Sequence, residues 1–468
     1  MSSNQYDLLI IGAGVSGSAL LYLASRYTNI KHIGLIEKYA APARVNSLSS
    51  NNSQTLHCGD IETNYTLEKA LKVKRAASML RNYALAQPDA HHIIFKYPKM
   101  VLGVGAAECQ LLRERFEVFG RHYPHLKLLD KKAIARIEPN VSMKGDKFRE
   151  DEIIALGSTD EYTAVNFEAL SRSFVRQAEI EANKHDERTL DIHYNQFVEH
   201  IRIDKDGFIV ENDGVCYRTR SLVVCAGGHS LKLAHDMGYG HHYSVLPIAG
   251  SYYFTPHLLN GKVYTVQNDA LPFAAIHGDP DVLVPGSTRF GPTALVLPIL
   301  ERYNLKTLPD FLQVFRFDRR VAKVLKDLLS VKDIRNYMLK NMLFEIPLIR
   351  KILFLKDARK IIPALKFSQL SFARKVGGIR PQLIDKDNCK LLMGEAKIDT
   401  GMGAIFNMTP SPGGTSCIEN AELDLRTVAK HLGVSIDENA LQRDLLKDDQ
   451  QHGSDDFSGL LIRGDNAS

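Results

Sequence analysis

The 468-residue chain is poor in cysteine: Cys58, Cys109, Cys216, Cys225, Cys389 and Cys417 are widely spaced and form no C-x-x-C pair. That pattern excludes a disulfide scaffold, argues against a structural zinc site and suits a reducing compartment. Long hydrophobic runs are missing too. The most apolar late stretch, residues 342–355, is interrupted by Glu345, Pro347, Arg350 and Lys351, so no membrane-spanning helix is expected. The polar opening carries no basic segment ahead of an apolar one, and the apolar stretch after it is broken by three glycines, so no signal peptide is expected either. Nor is charge one-sided. Fifty-nine Lys plus Arg against 54 Asp plus Glu leave +5, too mild a balance to make nucleic acid the main partner. What remains, 44% hydrophobic and 24% charged, is an ordinary globular composition at a length that suits two or three domains.

The strongest local signal lies in the first forty residues. Residues 7–11 form a short apolar run typical of a buried strand, and Gly12-Ala13-Gly14-Val15-Ser16-Gly17 follows directly. Ala19, Leu20, Leu23 and Ala24 then repeat at helical spacing. A second apolar run, residues 32–36, ends in Glu37, twenty residues after Gly17, followed by Lys38. This is a dinucleotide-binding βαβ unit: Gly12 permits the tight turn, Gly14 admits a pyrophosphate, Gly17 lets helix and strand pack, and Glu37 meets ribose hydroxyls. The helix N-terminus, with Ser16 in its first turn, supplies amide donors to the phosphates. Its place at the start of the chain favours FAD over NAD.

Three further stretches suit the same cofactor. Residues 46–60, NSLSSNNSQTLHCGD, are too polar and aperiodic for helix or strand. A loop rich in Ser, Asn and Gln, including Asn52, Ser53, Gln54 and His57, offers what a ribityl chain and pyrophosphate require, though a solvated turn has the same composition. A helix is expected over residues 66–83. Residues 221–228, SLVVCAGG, read as a strand ending in a turn in which Ala226 and Gly227 let backbone approach the nucleotide. Near the C-terminus, Pro412-Gly413-Gly414-Thr415 precedes a helical pattern over residues 417–432, placing helix amides where they would face the negative charge of a reduced flavin.

Taken in order, GAGVSG, NSQTLHCG, GSYYF, GKVYTVQ, FAAIHGDPD, GPTAL, IRPQ and NMTPSPGGTSC resemble the short bacterial malate:quinone oxidoreductases, within the wider family of FAD-dependent D-amino-acid and 2-hydroxy-acid oxidases. The resemblance runs from Tyr6 to about Leu445. It implies an α/β protein in which a Rossmann-like FAD-binding domain (residues 1–80, 155–245 and 375–445) is interleaved with an antiparallel-sheet substrate domain carrying extra helices (residues 81–154 and 246–374), with a polar tail over residues 446–468. Strand-like content over residues 245–254, 262–267 and 282–284 agrees with that interleaving.

The activity implied is oxidation of (S)-malate with electrons passed to a membrane quinone; 2-hydroxyglutarate or another 2-hydroxy acid is the alternative, differing by as little as one methylene. Such chemistry needs a hydride acceptor, a base for the hydroxyl proton and cations for two carboxylates. His277, closing an apolar run, is the expected base because histidine titrates near neutrality, with His57 its competitor. Arg289 and Arg380 are the expected carboxylate grips, Arg380 also lying near the flavin. Tyr252, Lys262 and Gln267 are further substrate-side candidates, and Asp279 and Asp281 would orient His277 or cap the turn at Pro280. The pairs His91-His92, His241-His242 and His122 with His125 lack completing ligands, so no metal is expected.

Charge is uneven along the chain. Residues 315–375 hold sixteen Lys plus Arg against five Asp plus Glu, and Val321, Val324, Leu325, Leu328 and Leu329 repeat at helical spacing beside Arg319, Arg320, Lys323 and Lys326. A basic amphipathic helix is suited to an anionic membrane surface, although a core-packed helix with a solvated basic face reads the same way. Peripheral attachment to the inner face of the cell membrane is expected, with residues 342–355 at the lipid or quinone entrance.

Overall fold

The computed structural model describes residues 4–212, 214–267, 276–347, 349–392, 394–410 and 412–447. Strand Gln5–Ile11 leads through Gly12 into helix Val15–Tyr27 and back to strand His32–Ile36. Two glycines make this possible. Gly12 has φ +98°, and a Cβ there would lie 2.6 Å from the Cys225 carbonyl oxygen; a Cβ on Gly17 would lie 1.9 Å from the Gly12 oxygen. Strand Gln5–Ile11 pairs in parallel with His32–Ile36 on one side and Val215–Val224 on the other, so that Ile11 faces both Ile36 and Val224. The three strands therefore end level, at Gly12, Glu37 and Cys225. Thr189–His193 and Ala404–Met408 extend the parallel pairing at either side. Gly207–Asn212 pairs antiparallel with the first half of Val215–Val224. Helices Val15–Tyr27, Phe167–Ala182 and Cys417–Leu432 cover one face through Leu20, Leu23, Phe174 and Leu425, while Leu9, Leu222, Leu231 and Leu383 fill the other. Burial on both faces is why these strands read as continuous apolar runs.

A second sheet of eight described strands runs Ser371–Phe372, Tyr253–Pro256, Ser287–Gly291, His277–Pro280, Lys262–Thr265, Lys99–Val104, Ile153–Ser158 and Lys127–Leu129. It is antiparallel except where Lys262–Thr265 meets Lys99–Val104. A four-stranded sheet, Leu295–Val296, Tyr243–Ala249, Ile379–Asp385 and Lys390–Leu391, lies apart from both.

Several expected boundaries move. The run over residues 245–254 is two strands in two sheets, because the chain turns at Gly250, where a Cβ would meet Pro292 at 2.9 Å. Residues 282–284 form a bend, held by Asp281 Oδ1 accepting from the amides of Leu283 (2.8 Å) and Val284 (3.0 Å). Lys99 to Val104 pair with Ser158 to Ile153 throughout, so the expected domain cut at residue 155 falls inside a strand. The expected helix at residue 66 is Leu67–Leu85, with Thr66 as its N-cap. The basic segment folds into helices Leu308–Phe315, Arg319–Ser330, Lys332–Leu343 and Arg350–Ile361. Val321 and Val324 pack against Leu246, Ile248 and Ile384, and Arg319, Arg320, Lys323 and Lys326 stay exposed. No helix among the described residues is long and apolar enough to cross a membrane. The polar tail beyond Lys447, Ser411 and the Phe273–Ala275 part of the FAAIHGDPD motif lie outside the described residues.

Candidate active site

A long cleft opens where the parallel strands end level. Its walls come from the Gly12–Ser16 turn, Glu37 and Lys38, the loop carrying Asn46 to Thr55 and His57, the Cys225–Gly228 turn, the strand start at Gly378 to Pro381, and the loop over Pro412 to Thr415. Fifteen of the expected cofactor residues line it: Gly12, Gly14, Ser16, Glu37, Lys38, Asn52, Ser53, His57, Ala226, Gly227, Arg380, Pro412, Gly413, Gly414 and Thr415.

Two do not. Gly17 lies behind the turn, where its missing side chain admits the Gly12 carbonyl. Gln54, in the left-handed region at φ +50°, is fully buried and ties the loop to the second sheet. Its Nε2 donates to Ser49 and, at 3.4 Å, to Asp281, and its Oε1 accepts from the Val282 amide. With both ends of its amide used, Gln54 positions the loop and does not face the cleft.

The residues present suit a dinucleotide. Helix Val15–Tyr27 starts at Gly14 with no side-chain cap, and helix Cys417–Leu432 starts at Ser416 likewise, so two sets of first-turn amides flank the cleft. Glu37 Oε2 accepts from the Ala13 amide (2.7 Å) and Oε1 from the Tyr39 amide (2.9 Å), leaving a lone pair on each oxygen for hydroxyl donors. Burial raises its pKa, opposed by those two amides. Lys38 pairs with Glu301, which also accepts from Tyr39 Oη. A Cβ on Gly413 would reach 2.5 Å from the Thr409 oxygen and one on Gly414 2.9 Å from the Phe167 ring, so this loop holds its close path only as glycine.

Sequence reasoning did not single out Asn46, Ser47 or Glu301. Ser47 Oγ accepts from the Val15 amide, and Asn46 Oδ1 from the Ile379 amide, joining three parts of the cleft. Asn46 and Ser47 sit inside the loop whose composition was informative; Glu301 had no local signal, its partner Lys38 being 263 positions away.

On the substrate side, Tyr252 and Arg380 are in the cleft wall. Arg380 has no carboxylate partner among the described residues. Burial raises the pKa of Tyr252 while the charges of Arg289 and Arg380 work against it, and its phenol stays protonated. Arg289 lies behind Tyr252, its guanidinium carbon 4.5 Å from the ring centre, with Asp279 and Asp281 each 3.4 Å away. Lys262, equally buried, reaches Thr55 Oγ1 at 3.2 Å and Asp279 Oδ2 at 3.5 Å. His277 also stands behind the wall, stacked on Tyr264 at 4.3 Å with Nε2 3.3 Å from Asp279 Oδ1. The expectation that it meets the cleft near neutral pKa is therefore corrected: burial, reinforced by Lys262 and Arg289 and only partly offset by Asp279, pushes it down to about 3. Asp279 is the shared counter-ion of Lys262 and Arg289 and lies beside the His277 ring, and Asp281 both pairs with Arg289 and caps its bend.

His57 is placed differently. It lines the cleft, its amide donates to Thr415 Oγ1, and its Nδ1 lies 2.7 Å from Glu62 Oε1. Burial opposes the charge on Glu62, but the His57 hydrogen bond and the positive charge of Lys99 hold its pKa below the usual value. Gln267 lies outside the wall, its amide donating to Thr63 Oγ1. Among the described residues no group of three or more His, Cys, Asp and Glu is arranged to hold a metal ion.

Comparison with known proteins identifies the family. The family model for FAD dependent oxidoreductases matches residues 7–408. A probable malate:quinone oxidoreductase of Campylobacter jejuni is 48% identical over 453 residues, 95% of this chain and all of that protein. Malate:quinone oxidoreductase of Helicobacter pylori strain J99 is 43% identical over 448 residues, 95% of this chain and 98% of that one. Among solved structures, L-α-glycerophosphate oxidase of Mycoplasma pneumoniae with FAD bound superposes with a TM-score of 0.61 at 18% identity, over 92% of this chain and 96% of that one.

Proposed function

Because the chain belongs to the malate:quinone oxidoreductases, within the FAD-dependent oxidoreductase family, we propose that it oxidises (S)-malate to oxaloacetate and passes the electrons to a membrane quinone. The observation that carries this reading is a dinucleotide cleft whose wall presents Arg380, without a carboxylate partner among the described residues, and His57 hydrogen-bonded to Glu62. FAD, when bound, supplies the acceptor for the hydride leaving C2 of the substrate.

The chain's own residues supply the rest. Gly12, Gly14, Ser16, Gly413 and Gly414 hold the cofactor through backbone amides, and Glu37 takes the ribose. Arg380 grips one substrate carboxylate as a fork, a contact that a lone lysine would make less well. Tyr252, kept protonated, donates a hydrogen bond. Lys262 and Arg289 back this wall with positive charge but are balanced by Asp279 and Asp281, so Arg289 takes the second carboxylate only by loosening from an aspartate. For the hydroxyl proton we favour His57, whose ring in the wall is oriented by Glu62; His229, also in the wall and 3.3 Å from Asp310, follows the Ala226–Gly227 turn assigned to the nucleotide. His277 shapes the wall from behind.

The surface of the helical segment supports attachment to the membrane. Leu312, Phe317 and Ile352 are each at least 60% exposed, and the cations Arg319, Arg320, Lys323 and Lys326 are exposed in the same helical segment. Apolar side chains that enter an interface and cations that meet anionic headgroups suit a peripheral protein on the inner face of the cell membrane.

An anaerobic flavin spectrum tests the reading. Malate should bleach the flavin band and a soluble quinone restore it. Bleaching by 2-hydroxyglutarate alone would move the substrate to the longer acid, and a flavin that neither acid reduces would refute the catalytic assignment.

A further inference from the structure

The wall segment 250–252 has two sides. Gly250 and Tyr252 line the cofactor cleft, whereas Ser251, between them, is fully buried and faces Arg302 and Glu345. Arg302 Nη2 donates to Ser251 Oγ at 2.6 Å and to Glu345 Oε1 at 3.4 Å, and Ser251 Oγ donates to Glu345 at 2.6 Å. The Arg302 side chain is 4% exposed, yet its Nε and Nη1 have no hydrogen-bond partner among the described residues. Idle N–H donors on a buried cation are costly. Cβ-less Gly377 stands beside this side chain, 3.7 Å from Cδ once a Cβ is built, and its neighbour Gly378 lines the cleft. Glu345, 26% exposed, leads outward through the turn between helices Lys332–Leu343 and Arg350–Ile361, where Met342 and Ile346 are 57% and 44% exposed. The turn is pinned to the wall on both sides: Tyr253 Oη donates to the Phe344 carbonyl and Asn341 Oδ1 accepts from the Ala294 amide.

A charged donor pair with no acceptor, one strand of backbone from the flavin cleft and opening onto an apolar patch, matches an amphipathic ligand with a carbonyl head and a hydrocarbon tail. We propose that Arg302, with Ser251 and Glu345, is the headgroup site of the membrane quinone, its carbonyl oxygen accepting from Arg302 Nη1 and its tail leaving over Met342 and Ile346. This rests on the malate:quinone reading. The guanidinium stabilises the quinone oxygen as charge builds on it. The balance closes without another reactant: the C2 hydride and the hydroxyl proton of the acid together provide the two electrons and two protons that convert quinone to quinol.

The test uses the FAD-loaded full chain and Arg302→Met, Arg302→Lys and Ile346→Ser, the last on an exposed residue that cannot upset the core. Short-tailed benzoquinone and naphthoquinone are the probes. In rapid mixing, malate should bleach the flavin of every variant at the wild-type rate and ferricyanide should reoxidise it equally, while reoxidation by quinone falls at least tenfold in Arg302→Met, less in Arg302→Lys, and Ile346→Ser shows a severalfold higher quinone requirement. Independently of turnover, an azidoquinone should label the peptide spanning residues 342–346 in wild type and lose that label in Arg302→Met. Unchanged quinone reoxidation and labelling would overturn the site, as would loss of malate bleaching, which would assign Arg302 to the other pocket. If Arg302→Met instead loses only its binding to anionic vesicles, the ligand is a lipid phosphate and the quinone assignment falls. A wild-type flavin that malate bleaches but quinone never reoxidises would refute the parent reading and this site with it, a result visible before any variant is made.

Discussion

His277 should stay neutral well into the acid range, and this can be read as stability. Its ordinary pKa of 6.5 falls to about 3 in the fold, chiefly because burial penalises the imidazolium. Between those values the unfolded chain takes up a proton that the folded chain refuses, so stability falls as pH drops from about 6.5 and the loss is complete near 3. At pH 5 the difference is about 2 kcal/mol, and the full displacement corresponds to about 5 kcal/mol. Replacing His277 with leucine removes the titrating group while keeping an apolar side chain against Tyr264. Denaturant unfolding of the FAD-loaded protein at pH 7.5 and pH 5 should show the variant losing about 2 kcal/mol less than wild type over that interval. In parallel, the His277 ring resonance should not move between pH 7.5 and pH 5. A resonance titrating near 6.5, or identical pH dependence in the two proteins, would refute the reasoning and return His277 to contention as the base.

Gly17→Ala should lower flavin content without touching the cofactor, because its Cβ would have to displace the Gly12 carbonyl from 1.9 Å; overpacking of this kind costs about 1–3 kcal/mol, measured as melting temperature and flavin-to-protein ratio. Arg380→Met should keep its flavin and raise the malate requirement about 100-fold, the equivalent of about 3 kcal/mol for a lost charge-assisted fork; a flavin-free protein would make Arg380 a cofactor residue. Replacing Arg319, Arg320, Lys323 and Lys326 together with glutamine should weaken binding to anionic vesicles by about 1000-fold at roughly 1 kcal/mol per charge, and undiminished sedimentation with such vesicles would move the membrane contact elsewhere.

Local constraints were legible in the sequence and remote pairings were not. Gly12 is required by its own positive φ and Gly17 by the Gly12 carbonyl, both within the βαβ unit, so spacing alone located the turn, and Glu37 followed from the level ends of adjacent strands. The misplacement of His277 has a different origin. It pairs with Tyr264 and Gly291, and Asp279 lies opposite Arg289, in a sheet whose register is set between separate strands. Part of that was readable: positions 277 and 279 share a face at a period of two, so His277 and its counter-ion had to point the same way. Which way was set by the neighbouring strands. Gln54 was misassigned for a similar reason, since its composition fits a cofactor loop but its partner Asp281 is 227 positions on.

The charge count around the wall bears on which histidine can work as the base. Behind Tyr252 and Thr55, Lys262 and Arg289 are met by Asp279 and Asp281, a set that is neutral while His277 is neutral. A proton delivered to His277 would add an uncompensated charge to a site with almost no solvent, the same penalty that depresses its pKa. A proton delivered to His57 lands 2.7 Å from the Glu62 carboxylate, which is already held in its charged form. Taking the substrate's hydroxyl proton there creates an ion pair in place of an isolated cation, and Arg380 stays free to hold the carboxylate. Glu62→Gln separates the two cases: it should depress malate reduction of the flavin, with a shifted pH profile, if His57 is the base, and should leave both unchanged if the proton goes to His277.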